Sequence, residues 1–541
     1  MFRLYKYLTV LFVSFVLFSC YSSEKEEGSI FHYNEQSGIA SIDPAFAKNQ
    51  SIMWAIHQLY NTIVEVDSSL NIKPSLATRW DISEDRKTYR FYLRNDVFFH
   101  DDECFANGKG RKMTAHDVVY SFKRIVDPIT ASPGSWIFNE KVDSVDGFLA
   151  LNDSVFQLKL TRPYIPILGI LSMQYCSIVP PEAIKKWGAD FRSHAVGTGP
   201  FQFVAWEEGQ ALIMKKNSLY FEKDSIGTQL PYLDGIKVSF YDSKATEFLL
   251  FRQGKLDFIN DIDASFKDEV LTKKGMLRKD WQDKIQLQTH PYLNIEYLGL
   301  LVDTTNAIIK NSPTRYKKVR QAINYAIDRR KLVLYLRNSI GIPAESGFVP
   351  AGLPSFDSTK VEGYHYNPQL ARHLLKEAGF EKNEQLPAIK LQTIAVYSDI
   401  GSYIARQLEE IGLTVQVETV QKSLLLEMTS SSRTAFFRGS WIADYPDAEN
   451  YLSVFYSKNP APPNYTRYNN PEFDAAFEKA IAETNDSLRY KYYRQADQIM
   501  INDAPVVPLY YDMVVRLVQP YVRGFKPNAL NLLELRKVRK D

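Results

Sequence analysis

A carboxylate and an aromatic ring at the exit of an apolar stretch are the residues best placed here to hold a small charged solute. Ala435 to Ala443 (AFFRGSWIA) is short and apolar enough for a buried strand, and it runs straight into Asp444-Tyr445-Pro446-Asp447. In open α/β sheets ligands bind beyond the carboxyl ends of strands, so Asp444 is positioned to meet one. Side chains alternate along a strand, which puts Arg438, Ile442 and Asp444 on one face and Trp441 on the other. Arg438 and Asp444 lie about 20 Å apart along an extended strand at roughly 3.3 Å per residue, too far to neutralise each other. Each is then free for a separate partner. The plainer readings are an Asx turn at Asp444, shaping the loop before Pro446, salt bridges for Arg438 and for Arg433, and core packing for Trp441.

Catalysis finds little support in the same residues. The 8 histidines form no HxxH or HExxH pair, and no Gly-x-Ser-x-Gly elbow occurs. Gly197 to Phe201 is glycine-rich but lacks the lysine and spacing of a phosphate loop, so it reads as a structural turn. His100-Asp101-Asp102 reads as a polar turn after a strand. Asp444 and Asp447 are the one carboxylate pair a hydrolase could use, and turn residues flank them. The expectation is a binding protein, not an enzyme, with no cofactor and no metal.

The elements that must position these residues alternate in the α/β manner. Thr88 to Arg94 alternates as a strand, followed by Val97 to His100, and Thr114 caps a helix whose apolar stripe is Val118, Val119, Phe122, Ile125 and Val126. Val319 to Leu336 reads as one long helix. Asn367-Pro368 opens another, closed by Gly379. Ile389 to Ala395, Ser402 to Ile411 and Leu413 to Val417 form a βαβ signature, which predicts parallel strands.

At 541 residues the chain is too long for a single core and should divide. Arg3 and Lys6 precede an apolar run, Leu8 to Phe18, that ends at Ser19-Cys20. Eleven apolar residues cannot cross a hydrocarbon core, which needs about 20, so the run reads as a signal peptide over 1–19 with Cys20 as the lipid-attachment site. The polar stretch to Gly28 suits a tether holding a folded body off a membrane. Of 65 basic side chains two fall in this leader, and the remainder match the 63 acidic ones. A near-neutral body offers no basic face to a nucleic acid. Cys104 and Cys176 either pair or remain free thiols; spacing does not choose.

Many short segments, in order, resemble one family: Ser41-Ile42-Asp43-Pro44-Ala45, Pro74 to Ala77 with Trp80, Tyr89 to Arg94, Met113 to Arg124, Gly197 to Phe201, Gly254-Lys255-Leu256-Asp257, Val319 to Asp328, Leu374 to Gly379 and Ala443 to Asp447. The chain resembles the extracellular solute-binding proteins of peptide- and nickel-type ABC transporters, family 5, from Ser41 through Phe525. Val126 to Pro133, Trp441 to Asp444, Val507 to Tyr511 and Arg516 to Val518 are most similar to the oligopeptide-binding branch.

The resemblance implies a two-lobed periplasmic-binding-protein-like α/β fold of type II. Lobe I would be discontinuous over 29–66, 191–288 and 510–541, with an extra subdomain over 67–190 and lobe II over 289–509. It implies hinge closure on an oligopeptide and delivery to the permease subunits of an importer by a monomer lipid-anchored in the cell envelope. Asp444 would hold the peptide's α-ammonium group, while Arg438 and Arg433 would meet carboxylate ends. Trp441 would wall a pocket, backbone around Ser440 and Ile442 would pair with the extended peptide, and Gln50 would do so from the other lobe. Where the branch has a tyrosine that packs on the ligand, this chain has Gly134. The same scaffold could instead take a nickel chelate, haem or an oligosaccharide, and the more distant alternative is a hydrolase.

Overall fold

The computed structural model describes residues 29–380 and 387–541. The expected signal peptide, the tether and Cys20 lie outside the described residues. No helix among the described residues is long and apolar enough to cross a membrane.

The first 260 residues supply strands β1 (Ile30–Asn34), β2 (Val64–Val66), β3 (Ile72–Pro74), β4 (Ala77–Ile82), β5 (Thr88–Leu93), β6 (Phe148–Asn152), β7 (Val155–Lys159), β8 (Phe201–Glu207), β9 (Ala211–Lys216), β10 (Gly235–Ser239) and β11 (Phe258–Asn260). They build one sheet of order β1-β10-β9-β8 and another of order β4-β5-β7-β6. In β5 the alternation buries Tyr89, Phe91 and Leu93 on one face. Helix Ala115–Val126 packs there: its Phe122 meets Phe148 and Phe156 at ring distances of 5.6 and 5.4 Å. The Asp117 carboxylate accepts the Thr114 N–H at 2.8 Å and fixes the helix start as the sequence predicts.

The second half adds β12 (Gln286–Leu300), β13 (Ile342–Pro343), β14 (Ile389–Thr393), β15 (Val415–Thr419), β16 (Phe436–Ile442) and β17 (Val506–Val518). They form a mixed sheet of order β11-β17-β12-β16-β14-β15, with β13 on β17. β14 and β15 are parallel and joined by helix Ser398–Glu409, as the βαβ pattern requires. The antiparallel ladder of β12 and β17 is the spine of the molecule. Its Gln286↔Val518 end lies beside β11, and its Gly299↔Val506 end lies beside β16, with register shifts between Pro291/Ile295 and Glu296/Tyr297.

The buried core follows the two ends of this spine. Val518 and Phe258 join the aromatic cluster of Phe31, Trp54 and Phe525, whereas Val507, Leu509, Leu298 and Leu300 join that of Val319, Ile323 and Ile404. The molecule is thus two-lobed and α/β, as expected. Side chains cross between the lobes in both directions. Tyr445, at the exit of β16, is buried in the first lobe's core, and Leu70, from the β2–β3 turn, is buried against Leu293 and Phe348 of the second.

Three local expectations change. The helix expected over Val319 to Leu336 breaks into Lys317–Ala326 and Arg329–Leu336. Asp328 caps the second piece by accepting the Lys331 N–H at 2.9 Å, and the buried Arg329 guanidinium bonds to carbonyl oxygens at the break, including that of Asn324 at 2.9 Å. Val97 to His100 makes only an isolated bridge at Phe98. His100 does not form the polar turn expected with Asp101 and Asp102: its ring is buried, Nε2 lies 3.0 Å from the Gly199 carbonyl, and burial lowers its pKa to about 4. Gly199 itself lies against the end of helix Gln50–Leu59, where a Cβ would come within 2.4 Å of the Leu59 backbone, so the glycine-rich turn is structural. Cys104 and Cys176 are both free thiols.

Candidate functional site

β16 has two unlike edges. Its whole length pairs with β12, from Phe436 opposite Leu300 to Ile442 opposite Asn294. On the other side β14 reaches only Phe436 and Phe437. From Arg438 to Ile442 one edge therefore has no strand partner among the described residues. Such an edge presents unpaired N–H and C=O groups to any extended chain laid beside it. Ser440 is half-buried on this stretch and Ile442 is exposed.

Asp444 follows two residues later and lines an interlobe cavity of about 530 Å³ with Gln58, Glu65, Gln174 and Lys526 among its walls. Its carboxylate is reachable by solvent yet hemmed in by protein from both lobes. That desolvation raises its pKa, opposed by the Asn450 amide, whose Nδ2 donates to Oδ2 at 3.2 Å. No cation among the described residues pairs with Asp444.

The buried Asn450 organises this end of the strand. Its Oδ1 accepts the Asp444 N–H at 3.2 Å and the Trp441 Nε1–H at 3.1 Å. Regular strand geometry ends at Ile442, so the alternation that separated Trp441 from Asp444 does not extend to the loop, and both residues converge on one amide. Two tyrosines flank the carboxylate closely enough for its charge to help desolvation push their phenols up: Tyr451, whose Oη donates to the Leu293 carbonyl at 2.6 Å, and Tyr175 of the opposite lobe.

The remaining predicted residues divide. Gln50 begins helix Gln50–Leu59 and shares a hydrogen bond with Tyr292, a neighbour of Tyr451, which connects it to the Asp444 neighbourhood. Gly134 lies under Tyr175: a Cβ there would come within 2.4 Å of the ring. Tyr175, from another element, packs over this glycine. Arg438 is not the free cation that strand spacing implied. Its Nη2 and Nε donate to Glu296 at 2.6 and 3.0 Å, and its guanidinium stacks 3.8 Å from the centre of the Tyr397 ring. Glu296 lies on the neighbouring strand, a distance that along-strand arithmetic does not measure. Arg433 is exposed beyond helix Lys422–Ser430 and paired with Glu427. Asp447 is held by Arg489, so it forms no carboxylate pair with Asp444.

Sequence reasoning missed Asn450, Tyr451 and Tyr175. Asn450 and Tyr451 follow Asp444 closely enough that a turn there could have suggested them. Tyr175 is remote in sequence, and nothing local pointed to it.

What this geometry can do is hold a cationic group at Asp444 and an extended backbone along β16. Comparison with known proteins agrees with the architecture. The chain is 24% identical to the dipeptide-binding protein DppE of Bacillus subtilis over 97% of this chain and 96% of that one. It is 28% identical to heme-binding protein A of Haemophilus influenzae over 86% and 84% of the two chains. It superposes with a TM-score of 0.76, at 25% identity and over 95% and 98% of the two chains, on the ABC transporter-associated periplasmic binding protein DppA of Helicobacter pylori in complex with peptide STSA. The model of the bacterial extracellular solute-binding proteins, family 5, matches residues 71–463, and the chain belongs to that family.

Proposed function

We propose that the protein captures oligopeptides between its lobes and delivers them to the permease of an ABC importer. The observation that carries this reading is the pairing of a strand edge, Arg438 to Ile442, with a carboxylate, the edge having no strand partner and the carboxylate no cation among the described residues. A binder of many sequences must grip what all peptides share, which is the backbone and the charged amino end. Asp444 is the residue for that end, with Trp441, Tyr175 and Gln50 around it and Ser440 and Ile442 on the edge. Relatives named for dipeptides and oligopeptides support the class of ligand.

Closure follows from the same contacts. A ligand touching both lobes binds only the closed form with full strength, so it shifts the equilibrium towards closure. We place the lobe boundaries near 289 and 509, where the β12–β17 spine passes between cores, with 67–190 as a subdomain of the first lobe. We further propose that the monomer is held at the membrane by lipid on Cys20. Palmitate labelling that disappears in Cys20→Ser tests this, and persistence of the label overturns it.

Calorimetry with tri- to pentapeptides tests the central claim. Asp444→Ala is expected to lose about 10- to 100-fold in affinity, the worth of a charge-assisted hydrogen bond, and N-acetylated peptides are expected to lose a similar factor on the wild type. Unchanged affinity in the variant, or a haem, metal chelate or sugar identified by mass spectrometry as the bound ligand, would overturn the reading.

A further inference from the structure

Three carboxylates of the first lobe converge on one guanidinium. Arg536 donates to Glu65 at 2.9 Å, to Glu222 at 2.7 Å and to Glu534 at 3.0 Å, with the Tyr220 hydroxyl at 3.3 Å. Among the described residues, the other basic group paired with these carboxylates is His57, which contacts Glu534. Even with His57 protonated, the group keeps an excess negative charge. The shortage falls on Glu65. Desolvation, then Glu534 and Glu222, raise its pKa against the pull of Arg536, whereas Arg536 and His57 hold Glu534 low despite its burial.

Glu65, Glu534, Arg536 and His57 all line the cavity that Asp444 also lines. Ser75 lines it too, and although only 4% exposed, its Oγ has no hydrogen-bond partner among the described residues. A buried hydroxyl without a partner is uncommon in a finished interior and marks a place where something else completes the contacts. The other charged groups on the walls are Asp67, which faces Lys73 at 3.4 Å, and Lys526 and Lys537, both exposed.

The geometry points to a second recognition point in this cavity, at which Glu65 and Ser75 receive the cationic side chain of a bound peptide, a lysine or an arginine. This inference rests on the peptide reading and adds a preference to it: one positive group at Asp444, a second at Glu65. A positive side chain brings the three carboxylates near neutrality, whereas an acidic one adds a fourth negative charge to a poorly hydrated wall.

The test is calorimetry with tri-alanine and with tripeptides carrying a single lysine, norleucine or glutamate at each position in turn. Norleucine keeps the aliphatic chain of lysine without its charge. At one position the wild type is expected to prefer lysine over norleucine by about tenfold and to disfavour glutamate, and in Glu65→Gln the lysine-to-norleucine ratio is expected to fall to near one. Thermal melting confirms that the variant is folded, and the glutamate arm on the wild type needs no variant. Peptide binding with no lysine preference at any position, or a preference that survives Glu65→Gln, overturns this inference alone. Failure to bind any of the peptides overturns the peptide reading and this inference with it.

Discussion

The hydroxyls of Tyr164 and Tyr445 stand 3.1 Å apart although the two residues belong to opposite lobes. Tyr445 leaves β16 and enters the first lobe's core, where its hydroxyl also donates to the buried carboxylate of Glu449. The residue next to Asp444, which lines the interlobe cavity, is thus itself a fastening between the lobes. Tyr445→Phe removes the hydroxyl; the loss to Glu449, four residues on in the same lobe, falls on open and closed forms alike, whereas the loss of the Tyr164 contact across the lobes costs about 1–2 kcal/mol in the closed form alone. The expected results are a larger radius of gyration of the ligand-free protein in X-ray scattering and a peptide affinity about 5- to 30-fold lower. An unchanged radius and affinity would show that the contact does not govern closure.

Asn450 should matter to binding more than its burial suggests. Asn450→Leu keeps the branched shape but removes the bonds to Asp444 and Trp441, so the carboxylate loses its orientation. Peptide affinity is expected to fall by about tenfold, with Asp444→Ala adding little more in the double variant, because both changes act through one group. Additive losses in calorimetry would refute this coupling.

Arg438 and Glu296 form a buried pair, and removing one partner strands the other. Arg438→Met is expected to destabilise the fold by about 3–5 kcal/mol, whereas the double variant with Glu296→Leu recovers most of that loss. Urea unfolding of the cycle checks it. A mild single variant, or a double variant no better than the single, would contradict the assignment.

Asp497 titrates where a carboxylate ordinarily does not. It is fully enclosed, accepts the Phe348 and Val349 N–H groups at 2.9 and 3.3 Å, and burial raises its pKa from 3.8 to about 7. The native state therefore holds this proton where the unfolded chain has released it. The stabilisation is complete below pH 3.8, declines as pH rises towards 7, and is gone above. Asp497→Asn should flatten the pH dependence of stability between those limits by an amount on the order of 4 kcal/mol, read as a flatter melting-temperature profile. An identical pH profile in the variant would count against it.

Gly134 and Tyr175 should substitute for each other. Gly134→Ala forces a methyl group into the Tyr175 ring and should cost about 1–3 kcal/mol. Exchanging both, Gly134→Tyr with Tyr175→Gly, should restore stability and keep peptide binding within about tenfold. If Gly134→Ala melts with the wild type, the packing argument fails.

The sequence by itself determined most of the local elements, the family and the place of Asp444 at a strand exit. Period-two alternation in Thr88–Leu93, the Asn367-Pro368 cap and the parallel strands around Ser398–Glu409 follow from near-neighbour chemistry that a linear chain displays. Asp444 was legible because a strand exit into a turn is also a local pattern. Tertiary structure decided everything that depends on a second segment. Glu296 neutralises Arg438 from 142 positions away, Tyr175 fills the space over Gly134 from another element, and Tyr445 crosses into the opposite lobe. Spacing along the chain measures distance within one strand, whereas these contacts are made across a sheet or a cleft, where separation in sequence carries no information about separation in space.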